Sequence, residues 1–378
     1  MIKKFTQIFR KNRVLSVFST LLVFCVVFSL TIITANAIGA ALEVAFDFVL
    51  QNVLAPFFVM LSLPEIASSA LLEGGFETLF TVIAVSFPPM ALFFPLFTLL
   101  EQVGMLPKIA GIFDKRFRRC GTDGNQVVTM CMGLGCNAVG VYGCRAFKSP
   151  RQKAATIVTN SFIPCSGRLP TLVVVSSFLM RGFGFLAVIG CVFLGVAFTL
   201  LVTRLLTLGE RKTACQCCSL TEAALKKPSL RKLLHEAFFE KTLKVLLRAM
   251  VVAAPAGLVI WFLKYVGLIG SLATALDPVG LAIGLDGVIL LGFILGLPAN
   301  EIVYPLILTM YGAHPSWSVP TLICILIFTV FHFPCATTIL TIKKEVHSLR
   351  WTILSILIPL FIGVVLCFAV ASLGKLFT

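Results

Sequence analysis

The sequence predicts an all-α integral membrane protein, a polytopic bundle of about seven spans plus two re-entrant hairpins in two inverted-topology repeats. Three observations predict it. Of 378 residues, 58% are hydrophobic and 12% charged, where soluble domains run roughly 45 to 50% apolar and about 25% charged. At ~20 residues per span the apolar residues suffice for about ten crossings, with nothing left for a large soluble domain. The 31 Lys and Arg against 16 Asp and Glu, a net charge of +15, fall in short clusters between apolar runs. Such clusters mark cytoplasmic loops and take away the argument for nucleic acid. Finally, two apolar segments have both flanks on one side and therefore cannot cross.

The N-terminus carries Lys3, Lys4, Arg10, Lys11 and Arg13 before an apolar run from Val14 to Thr34, so it is expected in the cytoplasm. Ala35-Asn36-Ala37 resembles a signal-peptidase site, but the run exceeds the ~7 to 15 residues of a signal peptide. From Ile38 to Leu63, Glu43, Asp47 and Gln51 recur every four residues on one face, which suggests a helix on the outer surface. A span from Glu77 to Leu100, bent at Pro88-Pro89, returns to the cytoplasmic cluster of Lys108, Lys115, Arg116, Arg118 and Arg119. A second basic cluster, Arg145, Lys148, Arg151 and Lys153, follows the apolar stretch Gln126 to Tyr142. That stretch must dip in and return, and its glycines, Gly133, Gly135, Gly140 and Gly143, suit exposed backbone better than continuous helix.

Ala154 to Met180 is a span broken at Pro164-Cys165-Ser166-Gly167-Arg168-Leu169-Pro170, and Phe183 to Val202 closes the first half. The polar stretch Arg204 to Arg248 is cytoplasmic. Met250 to Val266 then exits, with Asp277 and Asp286 in an outer connection. Leu290 to Tyr311, split at Gly296-Leu297-Pro298-Ala299-Asn300-Glu301, starts and ends outside as a second hairpin. Trp317 to Thr341 is broken at Phe333-Pro334-Cys335, and Trp351 to Ala371 is the last span. The expected organisation is an anchor and outer helix over 1–75, a first repeat over 76–203, a cytoplasmic basic loop over 204–248 and a second repeat over 249–378.

The halves share one order: span, hairpin, proline-cysteine break, closing span. Gly133 to Asn137 matches Gly296 to Asn300, and Pro164-Cys165 matches Pro334-Cys335. Prolines and glycines often just kink packed helices, but matched breaks of opposite orientation are the architecture of secondary transporters, whose broken helices meet at the substrate site. The thirteen cysteines lack regular spacing and suit reduced thiols rather than a disulfide framework. Cys136, Cys165 and Cys335 stand at the breaks with Asn137, Ser166, Asn300 and Glu301. Thiols with amide and carboxylate oxygens fit a transported divalent transition metal better than Mg2+ or Ca2+. Gly133, Gly135, Pro164, Pro298 and Pro334 shape the breaks. Arg168 and Glu301 are ionisable within the membrane and are expected to pair across the repeats or to reach their own surfaces. Cys215, Cys217 and Cys218 in the basic loop make a weak soft-metal motif. His314 and His332 fit structural roles, and no nucleotide-binding or hydrolase motif occurs.

Leu99 to Met105, Gly133 to Asn137, Pro164 to Pro170, Gly296 to Glu301 and Pro334-Cys335 with Lys343-Lys344-Glu345 together resemble the membrane domain of the ferrous iron transport protein B family, over about Gly74 to Val370. The resemblance implies Fe2+ as transported substrate, no permanently bound cofactor and a path lined by Cys136, Cys165 and Cys335. Three departures stand out. The family's N-terminal GTP-binding domain is not in this sequence, so the expectation is either GTP coupling through a separate subunit or a passive or ion-coupled carrier. Ala138-Val139-Gly140 replaces the usual Val-Pro-Ala, and Asn300 stands where members often have Lys.

The expectation is thus a multi-pass, non-enzymatic transporter of Fe2+ or a related metal in a bacterial inner membrane. Its expected partners are the lipid bilayer, a separate GTP-binding subunit or small accessory protein, and further copies of itself. The alternatives are a carrier of a polar organic solute such as a nucleoside, and a non-transporting assembly factor.

Overall fold

The computed structural model describes residues 37–62, 64–102, 110–179 without 112 and 116, 184–208, 242–303, 306–307 and 317–377, with Thr34, His235 and Phe238. The expected first span, most of the basic loop with Cys215, Cys217 and Cys218, and His314 lie outside these residues.

Among the described residues six helices are long and apolar enough to cross a membrane, or seven if one sharply bent pair counts as a span. The first, α1 (Ala37–Met60), has 24 residues, about 36 Å at 1.5 Å per residue, which exceeds the ~30 Å hydrocarbon thickness. Its length therefore meets the requirement for crossing where the sequence suggested a surface helix, although Glu43, Asp47 and Gln51 do all lie exposed. The next helix starts earlier than expected. The chain passes from Glu65–Ser69 through the π-helical stretch Ala70–Glu77 into α2 (Thr78–Gln102), and the stretch qualifying as a span is Glu65–Val85. There Gly74 meets Gly257 of α8 (Lys244–Tyr265): a Cβ at Gly257 would lie 2.0 Å from the Gly74 carbonyl oxygen. Small residues are what permit two backbones to come this close.

The first hairpin is α3 (Asn125–Gly135) and α4 (Asn137–Gly143), broken at Cys136. The arms pack together, so tightly that a Cβ at Gly143 would lie 2.5 Å from Met132 Sδ. The first broken span follows as α5 (Pro150–Asn160) and α6 (Leu169–Leu179), closed by α7 (Gly184–Leu206). Pro150 sits at the start of α5, where its missing N–H costs nothing, and Ser149 caps it by accepting from Gln152 N.

In the second half the connection is itself largely a helix, α9 (Leu268–Ala282), which holds Asp277 and is bent by 107° from α10 (Gly287–Leu295), whose N-cap is Asp286. The acidic residues do not mark an open loop but fasten this corner. Asp277 Oδ1 accepts from Gly287 N at 2.7 Å, and Asp286 Oδ1 caps α10 at Ile289 N at 2.8 Å. After α10 comes a four-residue break over 296–299, extended at Ala299, and a turn over Asn300–Ile302. The second broken span is α11 (Val319–Phe331) and α12 (Ala336–Val346), followed by α13 (Leu349–Phe377).

Hairpin, broken span and closing helix therefore recur in matched order. The largest buried apolar cluster joins the two sets, with Phe162, Leu172 and Val202 from the first and Ile289, Phe293, Phe328 and Phe331 from the second. Phe162 and Phe331 lie with ring centroids 5.6 Å apart beside the two breaks.

Candidate functional site

Each hairpin turns at an extended residue, Cys136 at φ −155°, ψ 125° and Ala299 at φ −147°, ψ 118°. In both cases a buried asparagine follows, Asn137 or Asn300. Each asparagine is held by the residue that ends the first half of its own broken span. Asn160, the last residue of α5, enters between the arms of the first hairpin and donates from Nδ2 to Asn137 O at 3.0 Å. Gly133 and Gly140 give it room: a Cβ at Gly140 would lie 2.6 Å from both Asn160 amide atoms, and one at Gly133 2.8 Å from Oδ1. The Asn137 amide, turned so that its nitrogen faces carbonyls, donates to Asn160 O and Ile163 O at 3.3 and 3.2 Å.

In the second half His332, directly after α11, takes the corresponding place. Its Nδ1 lies 3.1 and 3.0 Å from the carbonyls of Phe328 and Thr329 and so carries the proton. Nε2 is then an acceptor. It stands 3.3 Å from Asn300 Oδ1, and turning that amide brings Nδ2, otherwise without a partner, onto it.

The loops between half-helices are tied to the hairpin tips in the same way. Ser166 donates to Gly135 O from Oγ at 2.7 Å and from N at 3.4 Å, and Ala336 N donates to Leu297 O at 2.9 Å. Two side chains reach across the repeats. Glu301, from the second hairpin, packs against the first break, so that a Cβ at Gly167 would lie 2.6 Å from Oε1. Arg168, from the first break, is 1% exposed and reaches the second.

The expected Arg168–Glu301 pair is not formed. Arg168 Nη1 donates to Ser161 O at 2.7 Å and Val330 O at 2.9 Å, and Nη2 to His332 O and Phe333 O, both at 3.1 Å. The reason is electrostatic. α5 and α11 end here with carbonyls that have no partner inside the helix and carry negative partial charge. A guanidinium supplies several donors to several such oxygens at once.

The thiols occupy the other ends of the half-helices. Cys335 precedes α12, Cys136 precedes α4, and Cys165 accepts at its carbonyl from the N–H groups of Arg168 and Leu169 as α6 begins. Cys136 is within electrostatic reach of Cys165 and Cys335, and both of these are within reach of Glu301. Cys335 Sγ lies 3.2 Å from Thr338 Oγ1. Among the described residues no three His, Cys, Asp or Glu side chains stand close enough to hold an ion together. Of the remaining cysteines, Cys144 Sγ donates to Gly140 O at 3.4 Å, and Cys324 and Cys367 exchange Sγ-to-carbonyl contacts at 3.5 and 3.4 Å.

Three groups escape a reading of the sequence. Asn160 looks there like an ordinary polar residue near a helix end. Gln126 begins the first hairpin fully buried and donates to Thr203 Oγ1 at 2.8 Å. Glu345, seen only as part of a motif, is bonded by Arg145 and by Lys153 Nζ at 3.3 Å, which joins the end of the first hairpin and α5 to the end of α12. Only Glu345 left a sequence signal, being the one acid in a basic cluster.

Comparison with known proteins identifies the family. The family model described as "Gate: Nucleoside recognition" matches residues 83–179 and 246–349, together more than half of the chain. The Fe(2+) transporter FeoB of Staphylococcus aureus strain MSSA476 is 25% identical over 319 residues, covering 78% of this chain and 47% of the relative. FeoB of Synechocystis is 26% identical over 335 residues, covering 82% and 53%. A Porphyromonas gingivalis protein named as a fusion of Fe(2+) transport protein A and FeoB is 20% identical over 365 residues, covering 78% and 43%. The chain thus spans about half the length of the curated relatives it matches, and no solved structure matches it. On these matches the chain belongs to the Gate family and corresponds to the membrane part of the FeoB transporters.

Proposed function

We propose that this protein moves Fe2+ across a bacterial inner membrane, with its N-terminus cytoplasmic and the two gate repeats inserted in opposite orientation. The observation that carries the reading is the placement of Cys136, Cys165 and Cys335 at the N-terminal ends of half-helices, with Glu301 of the second hairpin packed against the first break at Gly167. The relatives' printed name supports the choice of metal. The thiols act as transient ligands, and Asn137, Ser166, Asn300 and Glu301 supply oxygens along the path, so the metal is handed between groups. Thiols with a few oxygens suit a borderline cation such as Fe2+. A GTP-binding subunit and a small accessory protein are proposed partners, the latter by analogy with the fused relative, and a homo-oligomer is proposed as the assembly.

The test is flux into proteoliposomes with Fe2+, Mn2+, Zn2+ and a nucleoside panel. Wild type is expected to carry Fe2+, and Cys136→Ser with Cys165→Ser to abolish uptake while the protein stays monodisperse and thermally stable. Wild-type uptake by that double variant would eliminate the thiol path. A second reading, transport of a polar solute, is favoured by the wording of the family description and by the buried Asn137 and Asn300. Nucleoside flux without metal flux would select it.

A further inference from the structure

Arg168 places a fixed positive charge at the meeting point of two helix ends, and all four of its Nη hydrogens are directed to carbonyl oxygens. Ser161 directly follows α5, Val330 lies in the last turn of α11, and His332 and Phe333 follow α11. Four carbonyls directed in pairs at the two Nη atoms of one guanidinium make a cradle of hard oxygen donors. In membrane carriers, unwound carbonyls and half-helix C-termini are the groups that take up Na+ and similar ions, and all-oxygen shells are what Ca2+ and Mg2+ require. Here the cradle already holds a cation, tethered to the chain and 1% exposed. Thr338, which matches Arg168 by position in the second repeat, lies instead against Cys335 Sγ at 3.2 Å. No second arginine repeats the arrangement at that position.

We infer that Arg168 is a specificity-determining residue: its guanidinium fills the carbonyl cradle of both breaks and so denies it to hard cations, leaving the thiol-bearing ends to the passing metal. The inference builds on the proposed metal path but concerns the opposite ends of the half-helices. Arg168 itself does not bind the transported ion. It acts by occupying oxygens that a hard ion would otherwise use.

The experiment compares wild type, Arg168→Lys and Arg168→Ala, purified in detergent and reconstituted in liposomes. Two readouts are taken: thermal stability against added Na+, Ca2+, Mg2+ or methylguanidinium, and the ratio of hard-cation flux to Fe2+ flux. Arg168→Ala is expected to gain stability from Na+ or Ca2+ in a saturable way that wild type does not show, and millimolar methylguanidinium is expected to suppress that gain by refilling the cradle. Its hard-cation to Fe2+ flux ratio is expected to rise on the order of tenfold. Arg168→Lys, with a compact ammonium and fewer donors, should fall between. The stability readout needs no transport, so it stands even if wild type carries no metal, an outcome that would remove the proposed function and not the cradle. If Arg168→Ala folds and shows neither cation-dependent stability nor an altered flux ratio, the inference is overturned. If it fails to fold alone, rescue by methylguanidinium or a hard cation supports the inference, and an Arg168→Lys protein indistinguishable from wild type in both readouts overturns it.

Discussion

The two hairpins solve one packing problem with opposite chemistry. Gly133 and Gly140 in the first correspond to Gly296 and Val303 in the second. In the first, both positions lack side chains and the space is taken by the Asn160 amide. In the second, Val303 fills the space itself, so that a Cβ at Gly296 would lie 2.2 Å from Val303 Cγ2. One tip is thus wedged by a polar group from the neighbouring helix and the other by its own apolar residue. The breaks differ likewise. Residues 161–168 separate α5 from α6 and contain a buried arginine, whereas 332–335 separate α11 from α12 and contain none. A repeated backbone need not repeat its polar groups, because a single guanidinium placed between two helix ends neutralises both.

Moving the arginine tests that asymmetry most severely. Arg168→Thr combined with Thr338→Arg is expected to lose on the order of 4 kcal/mol, about 1 kcal/mol for each carbonyl left bare. The swap fails because position 338 faces Cys335 rather than the helix ends. Thermal unfolding in detergent measures it, and recovery to wild-type stability would mean that the two breaks are interchangeable. A smaller effect is expected from the wedge. Gly140→Val alone should cost about 1 to 3 kcal/mol by crowding Asn160, and adding Asn160→Ala should recover part of that loss, since the second hairpin already tolerates valine there. A double-mutant cycle with no coupling between the sites would contradict the wedge. The smallest effect belongs to Ser166→Ala. It makes the first break resemble the second, where Ala336 keeps only its backbone bond, and should cost about 1 kcal/mol, seen as a small shift in Tm.

What could be foreseen follows the same divide. Breaks are written in residue types, because proline removes a donor and glycine admits close backbone. Cys136, Pro164-Cys165 and Pro334-Cys335 were therefore visible, with boundaries within a few residues of those observed. The partners of Arg168 were not, since every residue has a carbonyl and only the fold decides which ones lose their helical donor and meet. Charge complementarity pointed to Glu301, and geometry chose carbonyls. The α9 corner was hidden for a related reason. Asp277 and Asp286 look like solvent-facing loop acids, and their acceptor role depends on a 107° bend that no periodicity announces. Asn160 left no signal, because its function is to fit between two glycines.

The Arg168 clamp also bears on how the protein is made. Its bond to Val330 spans 162 residues of sequence, and those to His332 and Phe333 reach further still. During synthesis the first repeat emerges and inserts long before these acceptors exist, so its arginine must be kept near water or within the insertion machinery until the second repeat arrives. The first break is therefore expected to gain three of the four carbonyl partners of its arginine only once the second broken helix is in place.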